Sequence, residues 1–303
     1  MSFPDYLTEL MNLSSRLSYS GLTRLSNLPE SDALQITRVW LQIEPTRRKE
    51  IISRLAEMTE DNVSLNFTML FELGMSDIEP VVRIQAILGL WECEDRHLIE
   101  LFCKCLMFDP SDAVRAVAAE GLGRFCVLGA EGKLLEKDLL EINRNLLEVI
   151  QTPVTAILVR QKALEAIAPC HDDQVTNLID KAYMDHEITF RHSAIYAMGR
   201  NGDARWLPYI LKELRNADPA MRYEAVIASG QLGQEKVVPV LVEILDDGDM
   251  QINLATIDAL GSIGGTMAKN ILTKLLESED QTIKDATRVA LDLLLADEDP
   301  LRV

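Results

Sequence analysis

"FRHSAIYAMGR", residues 190–200, and "MRYEAVIASGQ", residues 221–231, share their small and basic positions although their other residues differ. In both stretches an Arg follows a bulky apolar residue, and Ala stands three and six positions after that Arg. The two Arg residues are 31 positions apart. A set of offsets that returns at a fixed period is the sequence signature of a repeat architecture.

The same register continues in both directions from these two stretches. Later members follow at intervals of 31 residues, whereas a gap of 45 residues separates two of the earlier ones. The register positions are Arg83, Arg115, Arg160, Arg191, Arg222, Asn253 and Lys284. Each is followed three and six residues later by Ala, Gly or Thr. The register position and the small residues three and six positions after it recur together seven times, which indicates seven related units.

The fixed offsets predict a helix with one packed face. Small residues three and six positions after the register position share a face at 100° per residue, so a second helix can approach them closely. An amphipathic stretch precedes each such helix, for example at 204–217, 235–247 and 266–278. Each unit is therefore predicted to be a helical hairpin. Carboxylates four residues before the register position are predicted N-caps or first-turn anions: Glu79, Glu187, Asp218, Asp249 and Asp280.

We expect an all-α fold, an α-α superhelix of helical hairpins, in one domain over residues 1–303. Residues 1–61 are predicted to form degenerate N-terminal capping helices, since terminal repeats must present a polar outer side. Residues 62–296 hold the repeats, and residues 297–303 form an acidic C-terminal tail. A longer unit lies at 128–153, where the extra residues are expected to lengthen one outer helix and its loop.

The repeat helix resembles HEAT repeats, most closely the short HEAT-like form named after phycobilisome lyases. The resemblance rests on "DPSDAVRAVAAEGLGRF" (109–125), "ITFRHSAIYAMGR" (188–200) and "DPAMRYEAVIASGQLG" (218–233). It implies an α-solenoid whose second helices line a concave groove, but it does not assign a reaction. In such repeats the Arg ties neighbouring units together. That role is carried over to Arg83, Arg115, Arg160, Arg191 and Arg222, whereas Asn253 departs from the pattern.

Charge and composition bear on the class of partner and on the compartment. The chain has 30 Lys and Arg against 48 Asp and Glu, a net charge of −18, so we expect neither nucleic acid nor a membrane as a partner. No apolar run approaches the roughly 20 residues that span a bilayer. "MSFPDYLTEL" (1–10) is acidic where a signal peptide is basic, and the five Cys suit a reducing compartment. The cytoplasm is the predicted location.

Enzymes with a similar repeat helix require residues that this sequence lacks. Deoxyhypusine hydroxylases resemble the chain in that helix, but they use several His-Glu pairs to hold two irons. Here one such pair, His186-Glu187, lies in a predicted turn, and the chain has four His. No recognisable catalytic constellation is present. We therefore predict no catalytic residues and no cofactor.

One cluster has residue types that could bind zinc. Cys93, His97, Cys103 and Cys105 lie within 13 residues of one another. Cys103 and Cys105 are about 200° apart on a helix, so they are poorly placed to share a metal. Thiols that pack as small buried hydrophobic groups are the favoured interpretation. No metal site is predicted.

The side of the second helices opposite the packed face is the predicted binding surface. It carries aromatic and aliphatic residues among polar ones, the composition of protein contact surfaces. The residues singled out are Trp91, Arg124, His192, Tyr196, Arg200, Tyr223, Ile227 and Leu254. We predict a non-catalytic interaction scaffold or adaptor whose groove binds a protein or peptide with basic residues.

Alternatives to the scaffold remain open on sequence grounds. Strong curvature could let the groove side chains pack on each other. A HEAT-like enzyme or enzyme subunit, of the bilin-lyase type or another lyase, is the main functional alternative, and a DNA-binding HEAT-like protein is less favoured. The sequence leaves the partner, the oligomeric state and the binding of a chromophore or other small ligand undetermined.

Overall fold

The computed structural model describes residues 2–298, and all regular elements in that range are helical. The predicted all-α fold is confirmed. The α-helices are α1 (Phe3–Met11), α2 (Tyr19–Leu22), α3 (Glu30–Val39), α4 (Pro45–Asp61), α5 (Thr68–Met75), α6 (Pro80–Gly89), α7 (His97–Phe108), α8 (Asp112–Ala130), α9 (Glu136–Gln151), α10 (Ile157–Ile167), α11 (Asp173–Tyr183), α12 (Ile188–Asn201), α13 (Leu207–Glu213), α14 (Pro219–Leu232), α15 (Val238–Ile244), α16 (Met250–Ile263), α17 (Gly265–Leu275) and α18 (Gln281–Glu298). Short 3-10 segments are Thr23–Leu25, Trp40–Gln42, Ala204–Trp206 and Glu235–Val237.

The chain divides into two compact units. Unit 1 comprises residues 1–128 and 134–163, and unit 2 comprises residues 129–133 and 164–303. The prediction of one continuous domain stays a prediction. Of the predicted acidic tail, only the backbone at the end of α18 falls within the described residues. Within the range 2–298, no helix is both long and apolar enough to cross a bilayer.

Unit 2 is a stack of helical hairpins. Its second helices α12, α14, α16 and α18 pack on one another in succession, and each also packs on the first helix of its own hairpin. The first helices α13 and α15 each start with a 3-10 turn instead of the predicted α-helical turn. Pro208 and Pro239 occupy the first turn of these two α-helices. Proline lacks the N–H that an earlier α-helical turn would need, so the α-helix begins there.

Small residues form the contact between successive second helices of unit 2, as their offsets predict. A Cβ atom added to Gly199 on α12 would lie 2.5 Å from the Cα of Ala228 on α14. One added to Gly230 would lie 3.1 Å from the Cα of Ala259 on α16. These backbones are too close for a larger residue on either helix, so the recurring Gly and Ala residues set the distance between successive second helices.

The predicted capping residues stand at helix starts, but only the Asp side chains make capping bonds. The carboxylates of Asp218, Asp249 and Asp280 accept a hydrogen bond from the backbone N–H two residues on, at 2.7–3.1 Å. Glu79 and Glu187 occupy N-cap positions, but their side chains make no capping bond. Short acceptors are favoured at this position because the side chain has to fold back onto its own helix.

Unit 1 also consists of stacked helices, with longer elements towards its end. Helix α6 packs on both α4 and α5, and α9 packs on α7. The insertion at 128–153 is divided between α8, which has 19 residues, and α9, which has 16. The prediction that one outer helix and its loop absorb the insertion was incomplete, because the second helix α8 is extended as well.

Candidate functional site

Two buried ion pairs join consecutive helices of unit 1. Arg48 on α4 donates to Asp77, in the turn before α6, at 2.6 Å from Nε to Oδ2 and 2.9 Å from Nη2 to Oδ1. Arg83 on α6 donates to both carboxylate oxygens of Asp109, in the turn before α8, at 2.8 and 2.7 Å. Both carboxylates also accept the N–H two residues on and so close their turns. Each turn carboxylate therefore fixes its own turn and holds the Arg of the preceding hairpin.

A pair of the same kind lies in unit 2. Arg222 on α14 donates to Asp247, in the turn before α16, at 2.7 Å from Nε to Oδ2 and 3.1 Å from Nη2 to Oδ1. This hydrogen-bonded guanidinium holds the pKa of Asp247 below its usual value. Asn253, the next register residue, donates to the backbone carbonyl of Asp247 at 3.0 Å instead.

Arg191, predicted to tie hairpins together, has a buried Nε with no hydrogen-bond partner in the part of the chain that the structure describes. The position that is Asp77, Asp109 and Asp247 in the three turns described above is occupied here by Asn216, whose side-chain amide donates to the buried Glu213. Burial raises the pKa of Glu213, but hydrogen bonds from Tyr183, Asn216 and Lys212 outweigh burial and hold it below its usual value. With Asn at position 216, this turn lacks the carboxylate that pairs with Arg48, Arg83 and Arg222 in the other three cases.

The two remaining register Arg residues each make a hydrogen bond within their own hairpin. Arg115 donates to the carbonyl of Leu106 at 2.9 Å, and Arg160 donates to that of Ile150 at 3.0 Å. These contacts hold the second helix against the end of the first. The register Arg thus has more than one function, and its partner depends on the turn that follows it.

Two of the predicted groove residues meet in unit 1. The Trp91 side chain is 47% exposed, just after the end of α6. Arg124 on α8 donates to the backbone carbonyl of Trp91 at 3.1 Å and to the Glu94 carboxylate at 2.8 Å. Arg124 therefore fixes the backbone at Trp91, and its guanidinium is already hydrogen-bonded within the protein. The Trp91 side chain is partly open to solvent.

In unit 2, the predicted groove residues on α12 make contacts with other side chains of the protein. His192 Nε2 lies 3.1 Å from Oδ2 of Asp218, in the turn that begins α14. The guanidinium of Arg200 lies 6.0 Å from the centroid of the Tyr196 ring, within the range of a cation–π contact. All three α12 residues are half-buried. His192 has a contact between hairpins that its place in the register did not predict.

The more open part of unit 2 lies on α14, α16 and α18. Tyr223 is 38% exposed, and Ile227 and Leu254 are half-buried. Sequence reasoning missed Val289 and Leu293, which are 59% and 58% exposed on α18. They stand five and nine residues after the last register position, in the same columns as the predicted residues, so the register itself contained the signal. We call the solvent-facing side of α12, α14, α16 and α18 the second-helix face of unit 2.

The side chains near the Cys cluster favour packing over metal binding. Burial raises the pKa of the Cys103 thiol to about 12 and that of Cys105 to about 11, so both are protonated at neutral pH. The His97 nitrogens lie 2.8 Å from the Asp95 carboxylate and 2.6 Å from that of Glu72. Among the described residues, no group of three or more Cys, His, Asp or Glu is arranged to hold a metal ion.

The same contacts predict a pH dependence at His97. Its hydrogen bond to Asp95, with a further one to Glu72, raises the pKa of His97 above 6.5. The stabilisation by these contacts is complete below pH 6.5 and is lost as the pH rises through the higher folded-state pKa. NMR titration of the ring protons should give a midpoint above 6.5, lowered by Asp95→Asn. A His97 midpoint that Asp95→Asn leaves unchanged would contradict the assignment.

Several solved structures align with the chain at low sequence identity. The complex of CpcE and CpcF of phycocyanin lyase from Nostoc sp. PCC7120 is 17% identical, over 75% of this chain and 94% of that one, with a TM-score of 0.49. Human deoxyhypusine hydroxylase is 17% identical, over 88% and 96% of the two chains, with a TM-score of 0.37. YibA of E. coli is 18% identical over 96% of both chains, with a TM-score of 0.41. Comparison with curated protein sequences gives no match.

Two stretches of the sequence match family models directly. Residues 98–128, in α7 and α8, match the model described as HEAT repeat. Residues 207–292, from α13 into α18, match the model described as HEAT repeats. The two stretches lie in different units, and each contains the hairpins whose register the sequence predicts. The chain contains HEAT repeats in these two stretches.

Proposed function

We propose that this protein is a non-catalytic interaction scaffold or adaptor that binds a protein or peptide segment on the second-helix face of unit 2. The observation that supports the proposal is the presence of apolar side chains on the same solvent-facing side of successive second helices. Tyr223 on α14 and Val289 on α18 are both exposed there, with Leu254 of α16 between them in the stacking order. Apolar surface kept open along one face of a stack is characteristic of a contact surface.

The shape of the face supports an extended ligand. Leu254 and Val289 line a surface depression of about 480 Å³ between α16 and α18. Its remaining lining is short or polar, including Ala286 and Thr282. An apolar side chain from a partner could lie there while its backbone crosses the stacked helices. Tyr223 supplies a rigid aromatic group with a polar end, a type of side chain enriched at binding hot spots.

Charge favours a segment with basic residues. Asp258 on α16 and Asp292 on α18 are exposed on the same face, and Asp285 is exposed beside the depression. Asp285 pairs with Arg288 on its own helix at 2.7 Å, an exposed contact that a partner's cation could replace. Together with the net charge of −18, these carboxylates favour Lys or Arg in the partner.

Replacement of the exposed tyrosine tests the proposal. Tyr223→Ala should weaken capture of the native partner from a lysate, and should raise the Kd for the purified partner about tenfold or more, because a hot-spot side chain costs about 2 kcal/mol when truncated. Isothermal titration calorimetry on the recovered partner gives the Kd. Binding of that partner should also weaken as the salt concentration rises.

Met184→Ala is the matched control for this experiment. Met184 is a large apolar residue of the same unit, 73% exposed, but it follows the end of α11 and lies outside the second-helix face. Its replacement should leave the Kd unchanged. If the Tyr223→Ala and Leu254→Ala variants both bind the partner as tightly as the Met184→Ala variant, the second-helix face is not the binding site.

A further inference from the structure

The three tryptophans of the chain are in unequal environments. Trp40 and Trp206 are buried, and their indole N–H groups donate to Asp77 at 2.7 Å and to Asn201 at 2.8 Å. Trp91 is 47% exposed, and its indole N–H has no partner among the residues that the structure describes. An indole with an open ring face and a free donor is a common anchor for a ligand.

The backbone at Trp91 is nevertheless fixed. Its N–H donates to the carbonyl of Leu88 at 3.1 Å, and the N–H of Cys93 donates to that of Leu90 at 2.9 Å, so the segment forms a tight turn. Arg124 holds the Trp91 carbonyl from α8. A partner that contacts this indole would therefore lose little backbone entropy by ordering it.

The indole borders a pocket of about 340 Å³ between the ends of α4 and α6 and the loop before α5. A Cβ at Gly89 would lie 2.4 Å from the Phe71 ring, so this ring packs directly on the backbone of α6 and forms part of the lining. Leu88 and Val63 supply exposed apolar side chains. The volume is at the low end of the roughly 300–1,000 Å³ of small-molecule sites, so it suits one bulky side chain better than a large cofactor.

The charged groups that line this pocket are all acidic. Glu60 at the end of α4 and Glu92 beside Trp91 are both exposed, and neither forms an ion pair within residues 2–298. The lining contains no Lys, Arg or His. Two free carboxylates beside an apolar pocket are complementary to cations that flank an apolar group.

We propose that this pocket binds a peptide segment in which one bulky apolar side chain is flanked by Lys or Arg. The apolar side chain packs against Trp91 and Leu88, and its neighbouring cations lie near Glu60 and Glu92. The site goes beyond the proposed function, since the pocket is in unit 1 and uses no residue of the second-helix face of unit 2. Either site can therefore fail without the other.

Synthetic peptides test the pocket directly. The probe is fluorescein-labelled Gly-Lys-Arg-Phe-Lys-Gly, compared with a Glu-flanked peptide, Gly-Glu-Glu-Phe-Glu-Gly, and with an Ala-for-Phe version of the probe. Anisotropy should give a Kd for the probe at least tenfold lower than for either comparison peptide. In ¹H–¹⁵N spectra, only the exposed indole signal, assigned by its loss in Trp91→Phe, should move on titration with the probe.

Variants separate the two components of recognition. Trp91→Ala should raise the Kd of the probe at least tenfold, and Leu88→Lys should raise it similarly by adding a like charge to the wall. Glu60→Gln with Glu92→Gln should raise it about fivefold and remove most of its salt dependence. Phe108→Ala is the matched control, because Phe108 is an exposed aromatic residue of the same unit that does not line the pocket.

Three results would overturn the proposal. The first is equal affinity for the Lys-flanked and Glu-flanked peptides. The second is unchanged binding of the probe by both Trp91→Ala and Leu88→Lys, with circular dichroism spectra that show both variants folded. The third is a Trp91 indole signal that moves when the protein concentration is raised without any peptide. That result would assign the pocket to contacts between copies of this chain.

Discussion

Asp77→Ala is expected to lower the free energy of unfolding by about 3–5 kcal/mol, because it leaves a buried guanidinium without its carboxylate. The side chains of Arg48 and Asp77 are 1% and 0% exposed. The substitution also removes the acceptor of the Trp40 indole and the side-chain bond to the Glu79 N–H. One carboxylate thus accepts hydrogen bonds from three residues, and the buried Arg48 and Trp40 groups cannot turn to water when it is lost.

Urea unfolding followed by circular dichroism measures this loss. Glu57→Ala is the matched control, since Glu57 pairs with Arg54 at 3.1 Å on α4 but both side chains are more than half exposed. Its expected cost is below about 1 kcal/mol. Asp77→Ala with Arg48→Met should be less harmful than Asp77→Ala alone, because the second change removes the uncompensated charge. Equal unfolding free energies for the Asp77→Ala and Glu57→Ala variants would show that burial does not strengthen the pair.

Gly199→Ala is the second large effect that we expect, at about 1–3 kcal/mol of destabilisation. Its new methyl group would meet the Cα and Cβ of Ala228 at 2.5 and 2.9 Å. Backbone atoms cannot turn aside as a side chain can, so α12 and α14 must separate. Ala is favoured over Gly inside a helix by up to about 1 kcal/mol, and a net loss therefore means that the steric effect exceeds this gain.

A graded series of glycine variants makes the prediction specific. Gly230→Ala should cost less than Gly199→Ala, since its nearest contact would be 3.1 Å. Gly248→Ala is the control, because a Cβ there has no neighbour within 4 Å. Ala228→Gly in the Gly199→Ala background should restore part of the stability by removing the facing methyl group. Thermal unfolding of the four variants gives the order, and an unchanged Tm for Gly199→Ala would contradict the close approach.

The repeat helices could be predicted from sequence because a close contact between two helices admits only small residues, and these recur at fixed offsets. Gly199 and Ala228 are small since their helices touch, and every hairpin repeats that requirement in the same register. The partners of the register Arg were harder to predict. Arg48 was missed because it precedes Arg83 by 35 residues, outside the main period, and follows another Arg. An Asp stands six residues before four of the register positions, at Asp77, Asp109, Asp185 and Asp247, and this recurrence was the signal that could have located the partner of Arg48.

The candidate surfaces followed from sequence only in part. Tyr223 and Leu254 were predicted because their offsets from the register position place them opposite the packed side of the helix. Val289 could have been predicted in the same way. The pocket beside Trp91 could not, because its lining comes from two helix ends and the loop at 62–67, which has no place in the register. Exposure depends on such non-repeating neighbours, whereas periodicity describes only what the repeats have in common.

The enclosed indoles give each unit an optical reporter of its own integrity. Trp40 reports on unit 1 and Trp206 on unit 2, and the emission of each should move to longer wavelength when water reaches it. With Trp91→Phe as the background, adding Trp40→Phe or Trp206→Phe leaves a single fluorophore. Denaturation curves from the two resulting proteins would coincide if the units melt together, and would separate if one half of the molecule opens first.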